Sequence, residues 1–556
     1  MTDGALALSQ HLPVVPVLLP LLTAAAMLAL GEQRRGLKAV VNLASTAAGL
    51  AVAIVLLSSV SGGGTDVTAY LPGNWPVPFG IVLVVDRLSA MMAVLTGSVG
   101  LASVLYSLAR WHHAGVHFHV LFQLQLMGLY GAFLTGDLFN LFVFFEVMLA
   151  ASYGLLMHGG GMARVRAGLH YIAINLVASM LLLIGIAVLY GVTGTLNMAD
   201  VAQKLSLVPD SDRGLLLAGA ALLGVAFLAK AAQWPLNFWL PPAYTAASPP
   251  AAALFVILTK VGGYAILRLW TLYFPADAGA SALFGADVLM WGGIATLGFG
   301  ALGMLATQDL DRFAAYSVIG SSGTLVAAIG FDRPAVTAGA LFYLASSTLA
   351  ACALFLLVEL LRRSRQRAVV PLAIRDDGGL TFAPESERHA SVKRDAVEAA
   401  LVGRAIPSAL AFLGVAFALV ALVVTGLPPL SGFVGKVALL SALLEVRSAA
   451  AWTLSALLLV SGLFATIALM RVGMRHFWSP SERPPPRLRI AETVPIGLLL
   501  GACVMLVVAG EPALRYLRGA AEALHEPTRY IDAVNGARVV ERAAAAAAAP
   551  SSGWAR

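Results

Sequence analysis

The stretch "GDLFNLFVFFEVMLAASYGLL", residues 136–156, is an apolar run with one glutamate, Glu146, in its middle. A bilayer core of about 30 Å needs about 20 apolar residues per helix. Backbone polar groups in lipid must be satisfied within the protein, so the spanning elements are helices or a closed barrel. A run without apolar–polar alternation is then a membrane helix. An ionisable side chain at that depth is costly and is functional by default. The stretch predicts a membrane-spanning helix whose charge needs a partner.

The composition extends this prediction to the whole chain. Of its 556 residues, 59% are hydrophobic and only 12% are charged, whereas soluble domains carry about 25% charged residues. We predict an all-α polytopic membrane protein with about fourteen transmembrane (TM) helices of about 20 residues each. The predicted spans are 12–30, 37–60, 86–109, 118–135, 137–158, 166–191, 214–246, 250–273, 282–306, 312–330, 334–362, 405–446, 450–472 and 491–513.

Basic residues in the connections predict the orientation of the chain. Arg34 and Arg35 follow the first span, and Arg164 and Arg166 follow the fifth, whereas the connection 61–79 has no Lys or Arg. Positive loops stay in the cytoplasm, so both termini are expected outside the cytoplasmic membrane. The net charge of +7 is then an orientation signal, and we expect no nucleic-acid partner.

The spans fall into a few regions. Residues 1–117 hold the first three spans, 118–273 a first repeat (TM4–8), 282–472 a second repeat (TM9–13) with a polar cytoplasmic loop at 363–404, 473–515 the fourteenth span, and 516–556 a low-complexity tail. The two cysteines lie in apolar runs without the spacing of metal ligands. We therefore expect no metal site and no bound cofactor.

Two spans are interrupted by proline. Pro235 lies in the seventh span, and Pro428 and Pro429 lie in the twelfth. Hydrophobic segments broken at corresponding positions of two halves are typical of inverted repeats. Because each half has five spans, the second copy would be inverted in the membrane. The alternative is that these prolines only kink ordinary membrane helices.

Lysine is rare and unevenly placed in this chain. Six of the 36 basic residues are lysine, and three of the six lie in apolar spans: Lys230 in "GVAFLAKAAQWPL", Lys260 in "VILTKVGGY" and Lys436 in "GLPPLSGFVGKV". The chain thus keeps lysine where its surroundings are driest. A guanidinium holds its proton at any working pH, whereas a buried ammonium can release its own. We infer sites that are charged at one step and neutral at the next; the alternative for Lys260 and Lys436 is contact with the membrane interface.

Glu146 needs a counter-ion near the middle of the membrane, and Lys230 is our choice. A close pair stabilises both charges, and separation favours the neutral forms. A pair that opens and closes would act as a proton switch. We therefore predict that Glu146, Lys230, Lys260 and Lys436 translocate protons, and no residue is predicted to be catalytic. The alternative for Glu146 is a structural ion pair.

These features resemble the antiporter-like subunits shared by respiratory complex I and the multisubunit Mrp-type cation/proton antiporters. The likeness covers nearly all of the chain and rests on a glutamate in the fifth span and on the three lysines above. The stretches "TGDLFNLFVFFEVMLAASYGLL" and "AAQWPLNFWLPPAYTAASPPAAAL" are most similar to the D-type subunits of Mrp antiporters. Respiratory relatives usually have something like "LPDAH" where this chain has "LPPAY" (residues 240–244), which favours the Mrp branch.

The resemblance implies a function and a set of partners. A D-type subunit belongs to a secondary active transporter in the bacterial inner membrane and is not an enzyme. It works with other Mrp subunits, of types A, B, C, E, F and G. The complex would exchange cytoplasmic Na+, or K+ or Li+, for external H+, driven by the proton-motive force. The subunit would move protons along a midplane chain of Glu and Lys residues.

Other polar residues are candidates for parts of this path. His170 in the sixth span could extend the path to the cytoplasm. Asp137 is either the N-cap of the fifth helix or an acid that gathers cations at a pore mouth. The candidates for holding water between the lysines are Tyr316, Ser317, Ser346, Ser347 and Thr348.

Two other functions compete with antiport. The first is a proton-pumping membrane subunit of a complex I-like NADH or ferredoxin:quinone oxidoreductase, which "LPPAY" disfavours. The second is a structural scaffold with inert ion pairs, which would leave the three lysines unexplained.

Overall fold

The computed structural model describes residues 11–62, 66–111, 115–365, 408–478 and 488–537. Helices dominate these residues. In chain order they are α1 Val15–Ala29, α2 Arg35–Ser61, α3 Arg87–Ser107, α4 Phe118–Leu134, α5 Leu138–Met157, α6 Met162–Thr193, α7 Met198–Leu205, α8 Asp210–Lys230, α9 Leu240–Ala246, α10 Pro249–Tyr273, α11 Ala286–Ala306, α12 Leu310–Ile329, α13 Pro334–Arg365, α14 Ser408–Thr425, α15 Ser431–Val446, α16 Ala449–Gly473, α17 Ile490–Val508, α18 Gly510–Leu524 and α19 Pro527–Asn535.

The helices are those of a polytopic membrane protein. Within the described residues, 12 helices are long and apolar enough to cross a membrane. Helix α4 is apolar but shorter, and α12 falls outside this set. The predicted membrane class is therefore confirmed, whereas the count of fourteen crossing helices is not.

Two of the predicted spans each consist of two helices. Span 214–246 contains α8 and α9, and Pro235 lies in the irregular segment between them. The described part of span 405–446 contains α14 and α15, with Pro428 and Pro429 between them. Proline has no backbone N–H and its ring clashes with the preceding turn, which favours a break at both places.

Helix α10 forms the centre of the bundle. All of its residues except Leu258 are buried, and it packs against α3, α8, α12 and α13. A helix that is apolar all round is expected in such a place. Lys260 lies on this helix, so it is enclosed by protein on every side and is only 1% exposed.

Glycines allow α11 and α12 to pack closely. A Cβ atom on Gly293 would lie 2.2 Å from the backbone N of Ala327, and one on Gly323 would lie 2.7 Å from the carbonyl oxygen of Gly293. Gly300 similarly faces the backbone of Gly320. Small residues at helix interfaces let membrane helices approach in this way. The contact fixes α12, which carries several candidate residues of the path.

We expect Gly293→Ala to destabilise the protein. The new methyl group would force α11 and α12 apart, and overpacking of this kind costs about 1–3 kcal/mol. The thermal unfolding midpoint of the purified complex should fall. Gly292→Ala is the matched control, because nothing lies within 4 Å of a Cβ atom at that neighbouring position. Equal midpoints for the two variants would contradict the close-packing account.

One end of the bundle carries a small hairpin and the C-terminal helices, and we name it the hairpin end. Strand β1 (Val67–Tyr70) pairs antiparallel with β2 (Leu83–Asp86), so the described fold is not purely helical. Helix α19 contacts β1 and α7, and α18 packs on α13. Leu517, Leu524 and Val534 are buried there.

These contacts differ from the low-complexity tail predicted at 516–556. An amphipathic pattern, with small and apolar residues on one face, lets residues up to Asn535 cover the hairpin end as helices. The alanine-rich remainder from residue 538 lies outside the described residues. Most of the predicted loop 363–404 lies outside them too, but its first residues continue α13 through Arg365.

Candidate functional site

Glu146 lies in the middle of α5, with its carboxylate turned into the protein. Its Oε1 atom is buried and has no hydrogen-bond partner. Among the described residues the carboxylate forms no ion pair, yet it is near enough to act electrostatically on Lys230. A buried carboxylate oxygen without a donor is costly, so this oxygen favours an arrangement in which a donor reaches it.

Lys230 is the last residue of α8 and is 5% exposed. Its Nζ donates a hydrogen bond to Ser179 Oγ on α6 at 2.9 Å. The same Nζ lies 4.7 Å from the ring centroid of Phe145, the residue before Glu146. The fold thus brings Lys230 and Glu146 to one place without direct contact. The expected pair is open in this structure, and a serine and an aromatic ring hold the lysine instead.

The region around Lys230 adjoins that of Lys260. The backbone of Ala231, directly after Lys230, lies against Gly262 of α10, where an added Cβ atom would be 2.7 Å from the Ala231 N. Lys260 Nζ donates to Ser321 Oγ on α12 at 2.5 Å. Ser321 was not among the predicted candidates, because the sequence does not show that it faces Lys260.

Lys436 lies on α15, directly after the second helix break. Its Nζ donates to the carbonyl oxygen of Thr425, the last residue of α14, at 2.6 Å. The last carbonyls of a helix lack partners within the helix and carry partial negative charge. The break therefore creates the acceptor that holds the lysine. In the described part of the chain, none of the three lysines forms an ion pair with a carboxylate.

A polar cavity of about 20 Å³ lies between Lys260 and Lys436. Its walls include Ser321, which holds Lys260, and Ser461, whose neighbour Gly462 lies beside the Lys436 ammonium. The candidates Ser317 and Ser347 also line it. A cavity needs about 10–15 Å³ to hold one water molecule, so this space is large and polar enough for one. A second cavity of about 10 Å³ is lined by Lys230.

The remaining candidates of the path divide into two groups. Ser346 Oγ shares a hydrogen bond with Ser431 Oγ at 2.8 Å, and Thr348 Oγ1 is buried without a partner. His170 and Tyr316 line a wide cleft of about 950 Å³. Tyr316 therefore lines the cleft, whereas its neighbour Ser317 lines the polar cavity between Lys260 and Lys436.

Asp137 is the N-cap of α5 and lies apart from the lysines. Its Oδ1 accepts a hydrogen bond from the backbone N–H of Asn140 at 2.7 Å. Burial raises the pKa of the Asp137 carboxyl above its usual range. The geometry is that of a helix cap, as one of its two predicted roles requires.

Arg268 was missed by reasoning from the sequence. It lies buried in α10 and forms an ion pair with Asp86, the N-cap of α3, at 2.6 Å. The Arg268 guanidinium also lies 5.2 Å from the ring centroid of Tyr530 on α19. A buried arginine thus lies in an apolar span of this fold, as the three lysines do. An arginine inside an apolar span was the signal that could have found this pair.

Comparisons with known proteins agree on one family. The family described as "NADH:quinone oxidoreductase/Mrp antiporter, TM" matches residues 135–376. The chain is 50% identical over 536 residues to the D-type subunit of a probable K(+)/H(+) antiporter of Rhizobium meliloti (strain 1021), covering 94% of this chain and 97% of that protein. It is 34% identical to the D-type subunit of a Na(+)/H(+) antiporter of Bacillus subtilis (strain 168), covering 94% and 98%.

A solved structure shows the same relationship. A chain of the Mrp complex from Dietzia sp. DQ12-45-1b superposes with a TM-score of 0.79 at 27% identity, covering 96% of this chain and 100% of that one. Identity above 30% along nearly the whole length is enough to establish the family. The chain belongs to the family of D-type subunits of Mrp-type monovalent cation/proton antiporters, whose members are related to the membrane subunits of complex I.

Proposed function

We propose that this chain is the proton-translocating subunit of a multisubunit monovalent cation/proton antiporter in a bacterial cytoplasmic membrane. One observation carries the proposal: each of Lys230, Lys260 and Lys436 is buried and bonded to a neutral oxygen, not to a carboxylate. A charge held in this way inside a membrane costs free energy that an ion pair would offset. Such an ammonium is suited to releasing its proton to a neighbour.

The proton path that we propose runs from Glu146 through Lys230 and Lys260 to Lys436. The cavity beside Lys230 and the polar cavity between Lys260 and Lys436 support it, because each can admit about one water molecule between donors and acceptors. Ser346, Ser347 and Thr348 would orient that water. The cleft at His170 and Tyr316 would give the path access to the cytoplasm through Ser317.

The wider architecture forms part of the proposal. Fourteen spans with two inverted five-helix repeats, TM4–8 and TM9–13, would put the breaks at Pro235 and at Pro428–Pro429 in equivalent places. Both termini would face outward, so the hairpin end would be external, and Asp137 would meet the exported cation there as it leaves the protein. The partners would be the Mrp subunits of types A, B, C, E, F and G. Na+ and K+ are the leading cations, because the names of the relatives include both.

Everted membrane vesicles test the function directly. The host should lack its own cation antiporters and express the complete operon with or without this subunit. An inward proton gradient quenches a pH-sensitive dye, and NaCl or KCl is then added. We expect dequenching that requires this subunit. If an assembled complex responds to neither salt, the antiport function is wrong, and quinone-dependent proton pumping becomes the function to measure.

A further inference from the structure

A wide cleft lies at the end of the bundle opposite the hairpin end. Residues from the start of α6, the first helix break and α12 line it, and its volume is about 950 Å³. The end of α6 lies at the hairpin end, where Asp137 pairs with Asn197, so the start of α6 marks the opposite end. The connection at this end carries Arg164 and Arg166, and positive connections stay in the cytoplasm, so we assign this end to the cytoplasmic side.

The mouth of the cleft carries two arginines that lack strong partners. Arg166 forms no ion pair within the described residues, and Arg312 is 65% exposed and reaches only Asp309, at 3.9 Å. No Asp or Glu is among the described residues that line the cleft. At 1.5 Å per residue, Arg166 lies only about 6 Å from the start of its helix. Long arginine side chains this close to the end of a membrane helix reach the lipid headgroups.

A third polar group points to a ligand with hydrogen-bond acceptors. Asn237, in the break between α8 and α9, lines the cleft and is 2% exposed. Its Nδ2 atom is buried and has no hydrogen-bond partner. A buried donor without an acceptor costs about 1–3 kcal/mol. A turn of the Asn237 side chain toward the cleft would let an acceptor from outside the chain remove that cost.

The other walls of the cleft are apolar and face outward. Phe238 is 55% exposed and Phe299 is 37% exposed, and both line the cleft together with Met162. Positive charge near the surface and apolar walls beside it match an amphiphile with an anionic head and hydrocarbon chains. Basic pockets between membrane helices on the cytoplasmic side bind anionic lipid headgroups.

We propose that this cleft binds one anionic phospholipid of the cytoplasmic leaflet. The lipid phosphate accepts hydrogen bonds from Arg166 and Arg312, and a glycerol or ester oxygen accepts from the Asn237 amide. The acyl chains lie along Phe238 and Phe299. The site goes beyond antiport, because lipid binding requires no proton transfer through Glu146 or the lysines. The lipid shares the cleft, of about 950 Å³, with the water that reaches His170 and Tyr316.

Photocrosslinking in the complete complex tests this site. The complex is reconstituted in phosphatidylcholine bilayers that contain a small fraction of photoactivatable phosphatidylglycerol or, separately, photoactivatable phosphatidylcholine. Labelled peptides are then mapped by mass spectrometry. We expect the glycerol lipid, and not the choline lipid, to label peptides that contain residues 162–170 or 237–246.

Charge variants make the test specific. Arg166→Gln combined with Arg312→Gln should raise the lipid fraction that gives half-maximal labelling about 30-fold, as the loss of two phosphate contacts predicts. Arg166→Lys with Arg312→Lys should keep most of the labelling. Arg34→Gln should leave the labelling unchanged, because Arg34 is an exposed arginine far in sequence from the residues of the cleft. Co-purification of the other subunits shows that each variant assembles.

Three results would overturn the proposal. The first is equal labelling by the two lipids. The second is labelling that the double glutamine variant does not change. The third is a cleft that neither lipid labels in the complete complex, because that result would mean that a neighbouring subunit covers it.

Discussion

Lys230→Ala and Glu146→Gln should each reduce cation-dependent proton exchange to near the background of vesicles without the subunit. Groups that transfer protons contribute about 10²–10⁴-fold to rate. Lys230 is buried, and Glu146 is half-buried with its Oε1 atom enclosed by protein. Lys230 is held by Ser179 and the Phe145 ring, so alanine would remove a proton carrier and leave both contacts unfilled. The measurement is dye dequenching in everted vesicles.

Lys230→Arg separates charge from proton release. Arginine keeps the positive charge near Glu146 but holds its proton at working pH. We therefore expect the arginine variant to be as inactive as the alanine variant. Lys204→Arg is the matched control, because Lys204 is partly exposed and paired with Asp200 at 2.9 Å. Near-normal exchange in Lys230→Arg would show that Lys230 supplies charge and does not carry the proton. Near-normal exchange in both Lys230→Ala and Glu146→Gln would refute the charge-pair mechanism.

Arg268→Gln should be among the most destabilising single substitutions in the chain. It leaves the buried Asp86 carboxylate without its counter-ion, and breaking a buried pair in this way costs about 3–5 kcal/mol. It also removes the contact between the Arg268 guanidinium and Tyr530 that ties α19 to the bundle. The measurements are the thermal unfolding midpoint of the purified complex and the yield of assembled complex.

A double-variant cycle checks this account of Arg268. Asp86→Asn keeps a side-chain oxygen for the cap on Ser89 N but removes the charge. If the pair is the cause, the combination of Asp86→Asn with Arg268→Gln should be more stable than the sum of the two single losses predicts. Strict additivity would mean that the two charges are not coupled. Exchange activity per assembled complex should change little in the double variant, because neither residue lies on the proposed path.

The membrane class and the positions of the two broken spans followed from local properties of the sequence. Apolar runs such as 136–156 must be helices in lipid because no other partner exists for the backbone. Pro235, Pro428 and Pro429 lack the backbone N–H of a helical residue, which favours breaks in these two spans. The rarity of lysine also singled out Lys230, Lys260 and Lys436 without any knowledge of their neighbours.

The C-terminal region and Arg268 show where such reasoning ends. The sequence predicted a low-complexity tail at 516–556. Residues 516–535 instead form parts of α18 and α19, which contact β1, α7 and α13. Asp86 and Arg268 are far apart in the chain. Their pairing depends on how α3 and α10 pack, which no local pattern specifies.

The sequence by itself determined that this is a helical membrane protein with charges buried in its spans. Only the tertiary structure decided what each charge meets: Ser179 for Lys230, Ser321 for Lys260 and the end of α14 for Lys436. The physical reason is that hydrophobic transfer into lipid acts on each segment separately, whereas a hydrogen bond between helices depends on their rotation and separation. Those are set by side-chain packing across the whole bundle.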